Sequence, residues 1–278
     1  MLWQTTRHRI DLSVPRVMGI VNVTPDSFSD GGHHQDARSA IAHCERLVAE
    51  GADLLDIGGE STRPGARSPS PQEELGRVLP VLRHALGLGV PVSVDTSRPV
   101  LMRAALDLGA DIVNDVRALT RPGALDVLAS HPQAGVCLMH MQGEPGDMQR
   151  APHYDDVVAE VVAFLQERVR SCVAAGVDRR RIVVDPGIGF GKTADHNLAL
   201  LARQCELQAL GLPLLVGWSR KSTLGQITGR PVQARVAASV AAALLCVQRG
   251  ASIVRVHDVA PTVDALKVWR AVGAGATG

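Results

Sequence analysis

Short apolar runs alternate with longer amphipathic segments along the whole chain. Eight runs rich in Val, Ile and Leu have the composition of buried strands, and they lie at 17–22, 54–58, 91–95, 112–116, 135–140, 182–185, 213–217 and 253–257. Apolar residues recur with a helical period at about 36–50, 72–86, 99–108, 124–130, 155–175, 196–209, 233–249 and 262–272. Eight strand–helix alternations predict an α/β fold, the (β/α)8 or TIM barrel.

A weak internal repeat supports this order. The stretches GADLLDIGG (51–59), GADIVNDV (109–116) and GASIVRVHD (250–258) each place Gly-Ala and a polar residue before an apolar run. The glycine fits the position just after a helix, where a left-handed conformation is favourable only without a Cβ. An open doubly wound sheet is the alternative, although it usually has fewer strands and a glycine-rich first turn. We expect one domain over 1–278, with the barrel at 15–272 and a flexible tail at 273–278.

The composition argues against several classes of partner. The chain has 29 Lys and Arg against 28 Asp and Glu and no basic stripe with interleaved aromatic residues, so nucleic acid is not an expected partner. Its five cysteines are widely spaced without a CxxC motif, which favours reduced thiols and a cytoplasmic location. The amino terminus lacks a signal-peptide pattern, and the longest apolar run, 236–247, is too short to span a bilayer. We therefore predict no membrane association.

Nearly every predicted strand ends in a side chain that ionises or hydrogen-bonds. These side chains are Asn22, Asp56, Asp95, Asn114 with Asp115, His140, Asp185, Ser219 to Lys221, and Arg255 with His257. The strands of a parallel barrel are buried on both faces, and their carboxyl ends meet on the face where the active sites of this fold lie. Any one of these side chains alone is most simply a helix cap or a solvated strand end. Eight polar strand ends together predict a functional site.

The charges divide this predicted site into two halves. The first, second and eighth strands are neighbours in a closed barrel, so Arg63, Arg255 and His257, which are cationic or able to become so, would cluster. Arginine pairs bidentately with phosphate, and nearby hydroxyl and amide groups complete such a site. This half predicts an anion site, and ordinary surface ion pairs are the alternative.

The other half is acidic and rich in amides. Asp95, Asn114 and Asp185 suit a planar heterocycle that presents several N–H donors, such as the aminopyrimidinone edge of a guanine or a pterin. The alternative is that these carboxylates pair with Lys221 or Arg117.

Two stretches look like known motifs without matching them. GIGFGKT (187–193) resembles a phosphate-binding loop, but that motif requires Gly where this chain has Pro186, and the glycine spacing does not match the dinucleotide fingerprint. We interpret it as a tight strand-to-helix turn that brings Phe190 against a ligand. His33-His34 and His43-Cys44 lack the spacing of zinc ligands.

Two long stretches, MGIVNVTPDSFSDGG and GADLLDIGGESTRPGA, resemble the signature sequences of the dihydropteroate synthase family. The resemblance continues in order through SVDTSRP, GADIVNDV, LMHMQGEPGDMQ, YDDV, DPGIGFGKT, GWSRKS and RVHDV, over about residues 15–270. It implies a transferase that condenses 7,8-dihydropterin-6-ylmethyl diphosphate with 4-aminobenzoate. The products of this step of folate biosynthesis are 7,8-dihydropteroate and diphosphate, and the family is the target of sulfonamides.

The resemblance also implies three subsites and a homodimer formed through the later helices. The pterin pocket would consist of Asp95, Asn114, Met139, Asp185, Phe190, Gly217 and Lys221. The diphosphate site would consist of Asn22, Thr62, Arg63, Arg255 and His257, with Mg²⁺ bound near Asn22. The aminobenzoate site would consist of Phe28, Ser61, Thr62, Pro64, Lys221 and Ser222.

These groups favour a path in which diphosphate leaves before the amine attacks. Preorganised cations, Arg63 among them, would stabilise the departing diphosphate together with Mg²⁺. Asp95 and Asp185 would stabilise the positive charge that spreads over the pterin, and Lys221 would hold the ring. The path is SN1-like, and because the arylamine is a neutral nucleophile it requires no strong base. We predict Asp95, Asp185, Lys221 and Arg63 as the catalytic residues.

Two other functions stay open at this point. A pterin-dependent methyltransferase domain would share the barrel and the Asp/Asn pocket but would not need Arg63, Arg255 and His257. A non-catalytic paralogue would bind a pterin without forming product. The segment 24–32 is predicted to be a mobile flap that is poorly ordered until diphosphate binds, with Phe28 then against the aminobenzoate.

Overall fold

The structure, a computed structural model, describes residues 1–24, 33–60, 69–144 and 146–275. Its strands are β1 (Leu2–Gln4), β2 (Arg9–Asp11), β3 (Arg16–Asn22), β4 (Leu54–Gly58), β5 (Val92–Asp95), β6 (Ile112–Asp115), β7 (Gly135–Met139), β8 (Ile182–Asp185), β9 (Leu215–Val216) and β10 (Ile253–Val256). Its α-helices are α1 (His33–Ala49), α2 (Pro71–Ala85), α3 (Pro99–Asp107), α4 (Ala124–Ala129), α5 (Val157–Ala174), α6 (Ala194–Ala202), α7 (Ser222–Thr228), α8 (Val236–Gln248) and α9 (Val259–Gly275). Short 3₁₀ helices cover Arg179–Arg181, Gln204–Leu210 and Val232–Ala234.

Eight parallel strands form a closed ring. They pair in the order β8-β7-β6-β5-β4-β3-β10-β9, and a parallel bridge between Val184 and Leu214 joins the two ends of this series. The Val184 N–H also donates a hydrogen bond of 3.1 Å to the Pro213 carbonyl. The predicted (β/α)8 barrel is therefore confirmed, and the open doubly wound sheet is wrong.

Side chains alternate between the barrel interior and the layer of helices, because successive residues of a strand face opposite ways. In β4, Leu55 and Ile57 belong to the core between strands and helices, whereas Leu54 lies in a second apolar cluster. This inner cluster consists of Met18, Leu54, Ile112, Cys137, Val183, Leu215 and Ile253 from the barrel strands and Trp3, Ile10 and Leu12 from the amino terminus. The inward positions one step nearer the carboxyl ends are then Ile20, Asp56, Asn114, Met139, Asp185, Gly217 and Arg255. The barrel interior is thus apolar at one level and mainly polar at the next.

An amino-terminal hairpin, which the sequence analysis did not predict, closes the apolar end of the barrel. β1 and β2 pair antiparallel, and the fully buried Trp3 donates its indole N–H to the Arg181 carbonyl at 2.8 Å. Arg7, in the turn between the two strands, forms an ion pair of 2.5 Å with Asp111, which precedes β6. These contacts join the hairpin to residues next to the amino ends of the barrel strands.

The glycines of the internal repeat have the conformation predicted for them. Gly51, Gly109 and Gly250 have φ angles of 96°, 97° and 90°, and each lies between a helix and the following strand. The left-handed backbone ends each helix and turns the chain into the barrel. The prediction of three helix-to-strand joints is confirmed.

Some predicted boundaries differ from those of the structure. The helix predicted at 196–209 is α6 followed by the 3₁₀ helix Gln204–Leu210. The last helix was predicted over 262–272, but α9 covers Val259–Gly275, so the predicted tail begins inside it, and 276–278 lie outside the described residues. Within the described part of the chain, no helix is both long and apolar enough to cross a bilayer.

Candidate active site

The carboxyl ends of the strands bring most of the predicted site residues together. Asp95, Asn114 and Asp185 end or nearly end three strands, and strand alternation turns them inward. Register places Asp95 beside Asn114 and Met139 beside Asp185 in neighbouring strands. The acidic and amide-rich half of the site is therefore a continuous wall over the apolar level of the barrel.

Arg255 is the centre of the charged network in this wall. Its Nε donates to Asp56 Oδ2 at 2.6 Å, and its Nη2 donates to Asp95 Oδ2 at 2.8 Å. Asp56 Oδ2 also accepts from Asn114 Nδ2 at 2.9 Å. Pairing of these carboxylates with Lys221 or Arg117 was the alternative to a heterocycle site, and the structure instead pairs Asp95 with Arg255. Arg255 therefore links the acidic half of the site to its own strand, β10, which belongs to the predicted anion half.

Burial weakens the acidity of both carboxyl groups that face the pocket. Burial, with help from the negative charge of Asp56, raises the pKa of Asp95 to about 7, although Arg255 opposes this shift. Burial likewise raises the pKa of Asp185 to about 6, against a hydrogen bond of 2.7 Å from the Gly187 N–H. Both groups therefore change charge close to neutral pH, which is characteristic of functional sites.

Lys221 lies just before α7, with its Nζ 4.2 Å from the centre of the Phe190 ring. A cation–π contact of this kind contributes roughly 0.5–2 kcal/mol. Burial, with help from Arg255, nevertheless lowers the pKa of Lys221 to about 8, against the attraction of Asp185. The cost of desolvating the ammonium is therefore the larger effect, and the Phe190–Lys221 pair forms a partly apolar wall.

Comparison with known proteins agrees with this arrangement. Residues 18–257 match the family described as pterin binding enzyme. The chain belongs to this family. It is 57% identical, over 278 residues and 98% of each chain, to the dihydropteroate synthase of Neisseria meningitidis serogroup B. The dihydropteroate synthase class and the transferase activity class predicted from the sequence are confirmed by these similarities.

Two solved structures of Xanthomonas albilineans dihydropteroate synthase are also similar. One, in complex with 4-aminobenzoic acid, is 57% identical, covers 96% of each chain and has a TM-score of 0.90. The other, in complex with 7,8-dihydropteroate, is 52% identical, covers 99% of each chain and has a TM-score of 0.90. This chain therefore has the same barrel fold as related enzymes that bind 4-aminobenzoic acid and 7,8-dihydropteroate.

The predicted tight turn is present at 187–192, and glycine is required at two of its positions. Gly187 has a φ of 69°, and a Cβ there would lie 1.8 Å from the His140 carbonyl oxygen. Gly191 has a φ of 60°, and a Cβ there would lie 2.2 Å from the Gln142 carbonyl oxygen. The turn therefore packs directly against the backbone that follows β7, where no side chain fits.

Lys192, which the sequence analysis did not select, anchors this turn from inside. It is only 2% exposed, and its Nζ donates to Nδ1 of His140 at 2.8 Å and to the Phe190 carbonyl at 3.0 Å. Burial lowers the pKa of Lys192 to about 7, and burial together with Lys192 lowers the pKa of His140 to about 3. The signal available in the sequence was a lysine directly after the last glycine of a glycine-rich strand-to-helix turn.

The surroundings of His257 favour the neutral form of its imidazole. Its pKa is lowered to about 3 by burial and by the nearby charges of Arg255 and Arg220. Ser219 Oγ lies 3.0 Å from its Nδ1. His257 therefore offers a neutral N–H to the site. A bound anion would be needed to raise the pKa of His257 so that the imidazole becomes protonated.

Arg220 does not face the pocket with Lys221. It adopts a φ of 59° and forms a bidentate pair with Asp258, with distances of 3.0 and 2.6 Å. Arg235 then donates to the Arg220 carbonyl at 3.1 Å. The Arg220 charge is therefore used to hold the turn before α7.

Several predicted site residues fall outside the described part of the chain. They are Phe28, Ser61, Thr62, Arg63 and Pro64, together with the predicted flap residues 25–32. Of the remaining predicted residues, Asn22 is half-buried at the end of β3 and pairs in register with Gly58. Ser222 is the first residue of α7.

Proposed function

We propose that this chain condenses 7,8-dihydropterin-6-ylmethyl diphosphate with 4-aminobenzoate to form 7,8-dihydropteroate and diphosphate. The observation that carries the proposal is the inward wall of Asp95, Asn114 and Asp185 above an apolar level of the barrel. Its acceptor groups suit the N–H-rich edge of a pterin, and related enzymes hold the aminobenzoate and the product. We propose the whole chain, 1–278, as a single domain for this reaction.

The pterin would lie between the carboxylates and the Phe190–Lys221 pair. Asp95, Asn114 and Asp185 would accept its N–H groups, while Met139, Phe190 and Gly217 would form the walls. Lys221 has its Nζ over the Phe190 ring, and the charge of Asp185 attracts it. It would hold the pterin ring from the side opposite the carboxylates. Because the carboxyl groups are buried, their negative charges act on the ligand through a medium of low polarity, which strengthens them.

The diphosphate would leave toward Asn22, Thr62, Arg63, Arg255 and His257. Arg255 uses its Nε and Nη2 groups for carboxylates, and its Nη1 group takes part in neither contact. His257 would donate its neutral Nε2–H to a diphosphate oxygen, and its low pKa would rise once that anion is bound. Arginine and imidazole donors fixed in advance stabilise the charge that develops on the leaving group.

The protein ligands fit Mg²⁺ only as a partner of the diphosphate. The described residues contain no group of three or more His, Cys, Asp or Glu side chains placed to hold a metal ion. Mg²⁺ commonly takes one or two protein oxygens and completes its shell with phosphate oxygens and water, so the Asn22 amide oxygen at the end of β3 is sufficient. When bound, Mg²⁺ would neutralise charge on the leaving diphosphate.

The bond to diphosphate would break before the arylamine attacks. Asp95 and Asp185 would stabilise positive charge on the pterin, which is the step that the SN1-like path requires. The aminobenzoate would lie against Phe28, Ser61, Thr62, Pro64, Lys221 and Ser222, with its carboxylate toward the Ser222 N–H. The amine is neutral and nucleophilic, so the chain needs to orient it and exclude water without removing a proton beforehand.

Product formation separates this proposal from its alternatives. The purified protein is incubated with the pterin diphosphate, 4-aminobenzoate and Mg²⁺, and dihydropteroate is quantified beside a direct measurement of pterin binding. We expect both binding and turnover. Binding without product would favour a non-catalytic paralogue or a methyltransferase domain. Asp185→Asn is expected to reduce both turnover and pterin affinity, and wild-type values for both would contradict its role.

We also propose that the chain forms a homodimer through its last helices and functions in the cytoplasm. Exposed apolar side chains on α8 and α9 support the dimer: Leu245 is 40%, Val268 66% and Val272 69% exposed. Val268 and Val272 are four residues apart and so lie on one face of α9. Light scattering coupled to gel filtration is expected to give twice the mass of one chain, and Val272→Glu is expected to shift it toward one.

A further inference from the structure

Asp56 is the inward carboxylate that none of the proposed subsites uses. It lies in the middle of β4, is 0% exposed, and pairs in register with Ser93. One of its oxygens, Oδ2, accepts hydrogen bonds from both Arg255 Nε at 2.6 Å and Asn114 Nδ2 at 2.9 Å. We propose that Asp56 is a positioning residue that orients Asn114 toward the pterin and Arg255 toward the leaving diphosphate.

Two other aspartates that are 0% exposed, Asp111 and Asp115, have a different environment. Asp111 accepts through both oxygens, with Oδ1 from the Arg7 backbone N–H and Oδ2 from the Val92 N–H, each at 2.9 Å. Asp115 does the same, with Arg117 and Leu119 N–H groups at 2.9 and 2.8 Å. These carboxylates accept hydrogen bonds from backbone N–H groups and thereby stabilise the fold.

Asp56 instead leaves one oxygen without a partner. Its Oδ1 is buried and makes no hydrogen bond within the described residues. A buried charge that is only half satisfied costs stability, and an apolar residue of similar size would usually pack there at less cost. The cost is explained if the two bonds of Oδ2 serve the ligand site.

The first consequence of the Asp56 contact concerns the plane of Arg255. Asp56 fixes the Nε edge and Asp95 fixes Nη2, so the guanidinium is held by two carboxylates from neighbouring strands. A planar group held at two points cannot rotate about its last side-chain bond. Without Asp56 the guanidinium would pivot on Asp95 alone.

The second consequence concerns which end of the Asn114 amide faces the pocket. Because Nδ2 donates to Asp56, the amide carbonyl of Asn114 is turned away from Asp56. This leaves an acceptor for an N–H of the ligand, which suits the donor-rich edge of a pterin. Asp56 would thereby select for an aminopyrimidinone without touching it. The inference rests on the proposed pterin pocket.

The test compares Asp56→Asn with Asp111→Asn, a substitution of a second carboxylate that is 0% exposed and paired with an arginine. Calorimetry gives the dissociation constant of 6-hydroxymethyl-7,8-dihydropterin, a pterin without diphosphate, and steady-state kinetics give KM for both substrates. For Asp56→Asn we expect the pterin constant to rise roughly tenfold or more, with KM for 4-aminobenzoate nearly unchanged. Asp111→Asn is expected to lower the melting temperature and leave pterin affinity unchanged.

A pH readout separates positioning from a loss of folding stability. Charged groups from several elements face Asp95: Asp56 from β4, Asp115 from β6, Glu74 from α2, Arg255 from β10 and Lys221 before α7. The charge of Asp56 raises the pKa of Asp95, so its removal lowers that pKa. The acid-side midpoint of the pH profile of pterin affinity is then expected to lie at lower pH in Asp56→Asn than in the wild type. In Asp111→Asn the midpoint is expected to be unchanged.

Two outcomes would overturn the inference. If Asp56→Asn binds the pterin within twofold of wild type, Asp56 does not position the pocket. If Asn114→Ala also binds it unchanged, the pocket assignment itself is wrong and the role of Asp56 fails with it. Should Asp56→Asn not fold, Asp56→Glu keeps the charge but moves it by one methylene. The same loss of pterin affinity is expected there, and wild-type affinity would contradict the inference.

Discussion

Ser219 and His257 form a reciprocal pair at the mouth of the barrel. The His257 backbone N–H donates to Ser219 Oγ at 3.1 Å, and the same oxygen lies 3.0 Å from Nδ1 of the imidazole. We assign the hydroxyl as the donor to Nδ1, and this assignment places the proton of the neutral ring on Nε2. The pair explains how a histidine whose pKa is lowered to about 3 by burial still presents one defined donor.

Ser219→Ala is expected to remove this preference for one tautomer. The lost hydrogen bond contributes about 1 kcal/mol, so turnover should fall roughly fivefold while the fold is retained. Nitrogen NMR of the labelled imidazole should show both tautomers instead of one. The control is Ser130→Ala, because Ser130 Oγ lies 3.3 Å from Nδ1 of His131, at the end of α4. Unchanged tautomer populations in Ser219→Ala would contradict the assignment.

Pterin affinity is expected to fall as the pH is lowered from 8 to 5. Burial raises the pKa of Asp95 to about 7 and that of Asp185 to about 6, so both become neutral across this interval. A protonated carboxyl group loses an acceptor for the pterin N–H groups. Calorimetric titration with a pterin that lacks diphosphate measures the effect. Asp95→Asn should weaken pterin binding at pH 8 and leave in the pH profile only the inflection of Asp185, near pH 6. A pterin affinity that does not change with pH in the wild type would contradict the expectation.

The stability of the folded chain is expected to depend on Lys192 between pH 7 and 10. Burial lowers the pKa of Lys192 from 10.5 to about 7, so in this window the unfolded chain holds one proton more than the folded chain. Raising the pH therefore stabilises the folded state. Lys192→Met removes this dependence, and its loss in free energy of unfolding should be larger at pH 9 than at pH 6. Lys267→Met, at a side chain that is 69% exposed, serves as the control in urea denaturation.

Gly187→Ala and Gly89→Ala separate backbone strain from steric clash. Both glycines have a left-handed φ, 69° and 78°, but a Cβ meets the His140 carbonyl at 1.8 Å in the first and nothing within 4 Å in the second. Gly89→Ala should cost about 1–2 kcal/mol. Gly187→Ala should cost more than about 3 kcal/mol and weaken pterin binding, because the turn that carries Phe190 must move. Equal losses of stability in the two variants would contradict this distinction.

The backbone of the site could be predicted because it follows local rules. Runs of Val, Ile and Leu marked the barrel strands, and Gly51, Gly109 and Gly250 marked the joints before three of them. Strand alternation then places Asp185 two residues beyond Val183 on the same face. Periodicity alone was enough to bring the acidic wall to one end of the barrel.

The pairing of charges could not be predicted, because it depends on distances across the barrel. Arg255 and Asp56 are 199 residues apart in the chain, and no local pattern links them. The neutrality of His257 depends on burial beside Arg255 and Arg220. The hairpin was missed because β1 and β2 have three residues each, too few for a clear periodic signal.

The hairpin under the barrel also constrains the order in which the chain can assemble. Residues 1–12 are synthesised before the rest of this sequence, but the carbonyl that accepts the Trp3 indole N–H belongs to Arg181. β3 likewise cannot pair with β10 until residues 253–256 have been synthesised. Trp3, Ile10 and Leu12 thus stay without their inner-cluster neighbours until most of the chain is synthesised. During synthesis these three apolar side chains therefore remain exposed to water long after the segment that carries them has been made.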